Sequence, residues 1–246
     1  MKQHLLSIGL LTVAILLSGC ETRSISDSGY RGNRHNYGGG STTQQNRELN
    51  ELDVLGIRPT DKPTEDEIRQ AAAARARLEV RRGARVMLIQ SGAQYPDAPM
   101  VSEVEKYFAV TPFSGVPAQL GVEKSSDEAL SARLRLAAAR GGVDAIICYW
   151  GILESGRVDH VTKTVSWVPV VSWFTPDETQ QMRIRLKAAV VDVKSGNWTM
   201  LTPAAFENEA LSTRQSREKS DQQQVAKLKA KGYAALAQDL VRSLSN

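Results

Sequence analysis

Apolar and polar positions divide the chain into three stretches. Leu5 to Leu17 is an apolar run broken only by Ser7, Gly9 and Thr12. Glu21 to about Asn50 holds almost no large aliphatic residue; it is rich in Ser, Gly, Asn, Gln, Arg and Thr and contains Gly38-Gly39-Gly40. Beyond it, apolar residues return with helix and strand periods. Thr64-Glu65-Asp66-Glu67 is a capping box, in which Thr64 caps the first turn and Glu67 reaches back. An Ala/Arg-rich helix follows to about Val80, then a buried strand over residues 85–90, a loop from Ser91 to Pro99 and a short helix near residues 101–108. A second capping box, Ser125-Ser126-Asp127-Glu128, opens a helix whose Leu130, Leu134 and Ala137 share one stripe and which Gly141-Gly142 ends.

Val143 to Leu153 reads as the next strand and Val158 to Phe174 as a long β-prone stretch. Met182, Ile184, Leu186, Ala188 and Val190 then alternate with Gln181, Arg183, Arg185 and Lys187, the period of a half-buried strand. Lys194-Ser195-Gly196-Asn197 is a hairpin turn and Trp198 opens a short last strand. Residues 205–222 are polar and ambiguous, and Val225, Leu228, Tyr233, Leu236, Leu240 and Leu244 form one face of a terminal helix. Helices interrupt the early strands and the later strands run together. The fold class is therefore α+β: a small mixed sheet with a C-terminal β-meander and helices packed on it. One core suffices for residues 51–246.

Hydrophobic residues make up 41% of the 246, ordinary globular usage, which excludes a wholly disordered chain. Residues 20–50 cannot bury enough apolar surface to offset their ordering entropy and are expected to form a flexible tether. About thirty such residues span ~30 Å on average and ~100 Å at full stretch. A net charge of +4 is far below the excess expected of a nucleic-acid binder, and two cysteines make no disulfide framework.

The start of the chain is an address. Met1-Lys2-Gln3-His4 carries one positive charge, the apolar run that follows has the length of a secretory signal, and Leu17-Ser18-Gly19-Cys20 closes it. The order of charge, apolar run and cysteine resembles the lipobox of bacterial lipoproteins. The resemblance implies that residues 1–19 form a signal peptide, that Cys20 becomes the first mature residue, and that its thiol and new amino group are acylated. Several acyl chains at ~0.8 kcal/mol per buried CH₂ anchor firmly where one would not. Glu21 follows Cys20 where inner-membrane lipoproteins of enteric bacteria carry Asp, which implies the outer membrane, periplasmic face. Cys148 lies in the apolar run Val143–Cys148 and reads as a buried, inert thiol.

Two further segments carry a resemblance. Gly-Gly-Val-Asp-Ala-Ile-Ile at residues 141–147 precedes the meander, which ends in Arg-Leu-Lys-Ala-Ala-Val-Val-Asp-Val-Lys-Ser-Gly-Asn-Trp at residues 185–198. Over roughly residues 80–245 this is similar to periplasmic lipoproteins of the anticodon-binding-domain-like fold, such as CsgG, the N-terminal domain of TolB, and PelC. These landmarks mark a fold, not a reaction. Asp192 and Gly196 read as hairpin residues, one for a hydrogen bond and one for a positive φ. Several relatives form rings, so the resemblance implies a homo-oligomer.

Candidate chemistry is sparse. His160 is the one histidine of the folded region, beside Asp159, and no Gly-x-Ser-x-Gly elbow accompanies it. Neither zinc-ligand spacing nor a phosphate-cradling loop is present. The sequence thus implies no catalytic residue, no metal and no cofactor. Candidate partner-binding residues fall in two classes. Val165, Trp167, Val168, Val170, Val171, Trp173 and Phe174 crowd one short stretch, in which Pro169 forbids a regular central strand. Core packing and an exposed contact patch are both open for it. Arg69, Arg75, Arg77, Arg81, Arg82 and Arg85 form a basic run, and Arg183, Arg185 and Lys187 a basic row. The run is either a solvated helix face paired with Glu67 and Glu79 or a patch for an anionic envelope polymer, lipid headgroup or acidic partner.

The expected function is a non-enzymatic scaffold or assembly subunit of an envelope or secretion complex. It would attach to the membrane through Cys20 and bind a protein partner or itself, without nucleic acid. The alternatives are an oligomeric secretion pore inserting the 158–192 hairpin, and a periplasmic hydrolase built on His160.

Overall fold

A computed structural model of the chain describes residues 21–27, 48–58, 60–73, 78–117, 130–159, 178–212 and 217–244. Its strands are β1 (Glu21–Ser24), β2 (Arg85–Gln90), β3 (Ala109–Phe113), β4 (Ala145–Asp159), β5 (Glu178–Asp192), β6 (Trp198–Leu201) and β7 (Phe206–Ser212). Its helices are α1 (Glu51–Leu55), α2 (Glu65–Ala73), α3 (Ala98–Glu105), α4 (Leu130–Arg140) and α5 (Arg217–Leu244). The seven strands form one mixed sheet, five of them in the order β3-β2-β4-β5-β6, with β1 paired to β4 and β7 to β5 off this path. β3, β2 and β4 are parallel, and β4, β5 and β6 are the antiparallel meander. The α+β class and the meander expected from the sequence are observed.

Strand alternation sorts the core onto both faces of this sheet. On one face Val86, Leu88, Ala145, Ile147, Tyr149, Ile184, Leu186, Ala188 and Val190 pack against α3 and α5. On the other, Met87, Ile89, Ile146, Cys148, Trp150, Ala189 and Val191 pack against α1 and α4. All six apolar residues assigned to the terminal helix face are buried. So are Met182, Ile184, Leu186, Ala188 and Val190. The first capping box closes in both directions. The Thr64 backbone N–H donates to the Glu67 carboxylate at 2.7 Å, and the Glu67 N–H donates to Thr64 Oγ1 at 3.2 Å.

Several boundaries differ from the sequence reading. The short helix begins at Ala98. In α4 the third apolar position facing the core is Ala138, fully buried, and Ala137 is exposed. β4 continues unbroken to Asp159, beyond the end expected at Leu153, and residues 160–174 of the expected β-prone stretch lie outside the described residues. β3 and β7 were not expected. β3 carries Pro112 and is largely exposed at the sheet edge, so it lacks an apolar period. The second capping box lies outside the described residues.

Most of the stretch expected to be tether, residues 28–47, lies outside the described residues. Of residues 20–50, the described parts, 21–27 and 48–50, pack against the domain. β1 pairs antiparallel with the distal half of β4, from Glu21 opposite Ser155 to Ser24 opposite Ile152. The next turn, Ile25–Asp27, seats Ile25 in the core at 1% exposure. Composition misses this because the stretch brings only two large aliphatics to the core, Ile25 and Leu49, and Ile25 enters a slot the host has prepared. At Gly151 an added Cβ would lie 2.5 Å from Leu186 Cδ2 and 2.9 Å from Ile25 Cγ2, so the absent side chain makes the room that Ile25 fills.

Candidate functional site

β4 and β5 are each 15 residues long. Their basal halves pair with β2 and β6, and their distal halves with β1 and β7. Two features lie along this distal half, one on each face.

On the α1/α4 face, strand alternation lines up Arg183, Arg185 and Lys187 of β5, as the sequence period requires. They face acidic partners from other elements. Arg183 Nε and Arg185 Nη2 each donate to the Glu154 carboxylate at 2.6 Å. Glu207 of β7 stands 3.7 Å from Arg183. Lys187 pairs with Glu51 and also lies 5.8 Å from the centre of the Trp150 ring. Burial pushes the Glu154 carboxyl up, but hydrogen bonds from Arg183 and Arg185 outweigh it and hold the group below the ordinary carboxylate range. The row is thus a charge-paired ladder whose Arg183 and Arg185 side chains remain about half exposed, 43% and 54%. Beside it opens a groove of about 610 Å³, lined by Glu48, Trp150, Ile152, Arg185, Lys187 and Thr202 among others. Trp150 Nε1 donates to the Leu49 carbonyl at 2.8 Å and forms its floor.

On the α3/α5 face, a buried polar network fastens the N-terminal segment to the ends of the parallel strands. Gln90, 1% exposed, accepts at Oε1 from Tyr149 OH at 2.6 Å and from the Asp97 backbone N–H at 2.7 Å. Its Nε2 donates to Ser26 Oγ at 3.0 Å, and Ser26 Oγ donates to the Ser91 carbonyl at 2.5 Å. Asp97 Oδ2 accepts from Tyr233 OH at 2.5 Å and Lys229 Nζ at 2.6 Å, and Lys229 also donates to the Ile25 carbonyl at 2.9 Å. Arg23 of β1 forks onto both oxygens of Asp221 in α5 at 3.0 Å. Leu49 N–H donates to Ser91 Oγ at 2.8 Å, so both described parts of the stretch converge on Ser91. Burial pushes the Tyr149 and Tyr233 hydroxyls far up, with the Asp97 charge adding to it, so both serve as neutral hydrogen-bond donors. Burial likewise pushes the Cys148 thiol far up, with smaller contributions from Glu48 and Glu51, as expected of an inert core cysteine.

The remaining sequence candidates are dispersed. Arg81 and Arg82 are exposed in the turn before β2, and Arg82 stacks over Tyr107 at 5.4 Å. Arg69 pairs with Asp66 in α2. The basic run is therefore not one helix face in its described part, because Arg81 and Arg82 lie in a turn and Arg85 opens β2. Arg77, Trp167, Val170, Trp173, Phe174, His160 and Cys20 lie outside the described residues. Sequence reasoning missed the network residues Gln90, Asp97, Lys229 and Tyr233. They come from three separate segments, β2, the turn before α3, and α5, and the only local signal was a Gln ending an otherwise apolar strand.

Among the described residues no group of acidic, Cys or His side chains is placed to hold a metal ion. Nor is any helix there long and apolar enough to cross a membrane. No curated protein matches the chain. The family model for YafT bacterial lipoproteins does, over residues 50–243, which takes in the sheet from β2 to β7 and nearly all of α5; the chain belongs to the YafT family of bacterial lipoproteins.

Proposed function

We propose that this chain is an outer-membrane lipoprotein, acylated at Cys20 and facing the periplasm, whose domain serves as a non-enzymatic assembly subunit of an envelope or secretion complex. The observation that carries the reading is the placement of β1. The strand that directly follows Cys20 is a member of the sheet, locked by Arg23–Asp221 and by the Ser26 and Ile25 links to Gln90 and Lys229. Such a domain is mounted on its anchor, not trailed behind it. The buried polar groups of the α3/α5 face hold this mounting together. Glu21, in place of Asp after Cys20, supports the outer membrane.

The relationship to CsgG, the TolB N-terminal domain and PelC belongs to the same proposal. It is supported by the parallel β3-β2-β4 unit, entered through residues 141–147, and the meander that closes at residues 185–198. For the pore alternative, the described arm of the 158–192 hairpin weighs against a barrel wall. The apolar face of β5 is already covered by α5, and its edges are taken by β4, β6 and β7. A membrane strand needs a free apolar face.

The test uses the full chain expressed in a Gram-negative host. Mass spectrometry of the mature protein is expected to show an acylated Cys20, and membrane fractionation to place it in the outer membrane. Cross-linking in intact cells is expected to yield a discrete species larger than the monomer. A strict monomer under these conditions would overturn the assembly role.

A further inference from the structure

We infer that the basal end of the sheet, where the turns before β2, before β4 and after β5 lie side by side, is a docking surface for an acidic face of a protein partner. The inference rests on the assembly reading and says where the partner sits. Register brings the three turns together. Val86 pairs with Ala145, and Ala145 with Asp192, so Arg85, Asp144 and Val193 form the next row. Asp144 N–H donates to the Arg85 carbonyl at 2.9 Å, and Val193 N–H to the Asp144 carbonyl at 3.0 Å. Three neighbouring strands ~4.8 Å apart spread these turns over roughly 10 Å. Arg81, Arg82 and Arg85 come from the first turn, Arg140 from the end of α4 beside the second, and Lys194 from the third; all five are exposed. An added Cβ at Gly142 would lie 3.3 Å from Arg85 Nη1, so that guanidinium reaches across to the second turn.

These charges lack internal partners. Elsewhere in the domain arginines are held by carboxylates, as Arg23 is by Asp221, Arg183 and Arg185 by Glu154 and Arg242 by Asp239, or by carbonyls, as Arg135 is by Val193 and Lys194. At the basal end none of the five cations forms an ion pair among the described residues, and exposed Glu79 does not reach them. Such an array is complementary to carboxylates supplied from outside. It is also rigid and patterned. Gly83 N–H donates to the Tyr107 carbonyl at 2.8 Å, and the Arg82 guanidinium stacks over the Tyr107 ring at 5.4 Å. Asp144 is exposed in the middle of the array, its Oδ2 accepting from the Arg85 backbone N–H at 3.1 Å. Asp192 accepts from the Ser195 N–H and hydroxyl at 2.6 and 2.8 Å. A carboxylate fixed among guanidiniums penalises a uniform polyanion such as an anionic bilayer. It suits a protein face that offers carboxylates to the arginine forks and a donor to Asp144.

The experiment places the photo-cross-linker p-benzoylphenylalanine in the full chain, in the bacterium that encodes it. It replaces Ala139, exposed beside Arg140, or Gln223, exposed on α5. Irradiation is expected to give a discrete protein adduct from position 139 and none from position 223, with mass spectrometry mapping the joined segment to a peptide rich in Asp and Glu. Arg82→Glu combined with Arg140→Glu is expected to cut the adduct about tenfold or more. Lys227→Glu combined with Lys231→Glu makes the same change in net charge at exposed positions of α5 and is expected to cut it less than about twofold. Both pairs are compared at equal levels of folded protein. No adduct at position 139, an adduct to lipid or to a segment without acidic residues, or equal losses from the two pairs would overturn the basal surface. An assembly seen by general cross-linking would in that case leave the assembly reading standing. A strict monomer under general cross-linking would overturn both.

Discussion

At the scale of single residues, backbone proximity separates two glycines that look alike in sequence. An added Cβ at Gly115 would lie 1.9 Å from the Gln90 carbonyl oxygen, whereas at Gly83 it would meet nothing within 4 Å. Gly115→Ala must displace the strand end that carries Gln90, and it is expected to cost roughly 2–3 kcal/mol by overpacking. Gly83→Ala pays only for its positive φ, about 1 kcal/mol. Urea denaturation of the two variants measures the difference, and equal losses would contradict it. Glu154 offers a second residue-scale test. Its folded carboxyl sits below the ordinary range because Arg183 and Arg185 donate to it against the opposing effect of burial. In the window between the folded and unfolded values the unfolded chain binds more protons, so stability rises with pH there. The advantage of the native protein over Glu154→Gln is therefore expected in full at neutral pH. It should shrink as pH falls below about 4, as read from denaturation midpoints across that range. The basic side of this ladder was legible from strand alternation. Its acidic side was not, because Glu51, Glu154 and Glu207 arrive from a helix and two other strands.

At the scale of elements, β1 is the part whose attachment is narrowest. It touches one strand, β4, along four residue pairs, and its anchor in the core is Ile25. Ile25→Asp puts an unpaired charge into that slot, and the least costly escape is to release residues 21–27 while the rest stays folded. Hydrogen exchange is expected to quicken at the amides of residues 152–155 and to stay slow in β2 and the basal half of β4. Uniform acceleration across the sheet would show instead that β1 is part of the global cooperative unit. The same locality explains what sequence could and could not reveal about elements. α5 and β5 bury one face each along many residues, so their periods are long enough to read. β1 and β3 are short edge strands held mainly by partners, and their own residues carry no period. A composition average over residues 21–50 dilutes Ile25 and Leu49, the two side chains that enter the core.

At the scale of the whole molecule, the domain is one mixed sheet whose N-terminal strand is separated from most of it in sequence but not in space. A domain cut at residue 51, the boundary suggested by composition, would lack β1, the Ile25 turn and the Leu49 links. A chain beginning at residue 28 isolates the first part of that loss. It leaves the distal edge of β4 unpaired at residues 152–155 and uncovers the apolar slot at Gly151. It also removes the Arg23 partner of Asp221, whose side chain is only 4% exposed, and the Ser26 and Ile25 groups that meet Gln90 and Lys229. An open strand edge beside an apolar slot recruits other strands. The truncated chain is therefore expected to keep the circular dichroism of the native fold and to unfold at lower urea than a chain beginning at residue 21. It is also expected to associate with rising concentration. Sedimentation velocity and urea midpoints on the two chains, both without lipid, decide the matter. A truncated chain that stays monomeric and unfolds at the same midpoint would mean that β1 rests on the sheet without stabilising it, and the rigid mounting of the anchor would lose its physical basis.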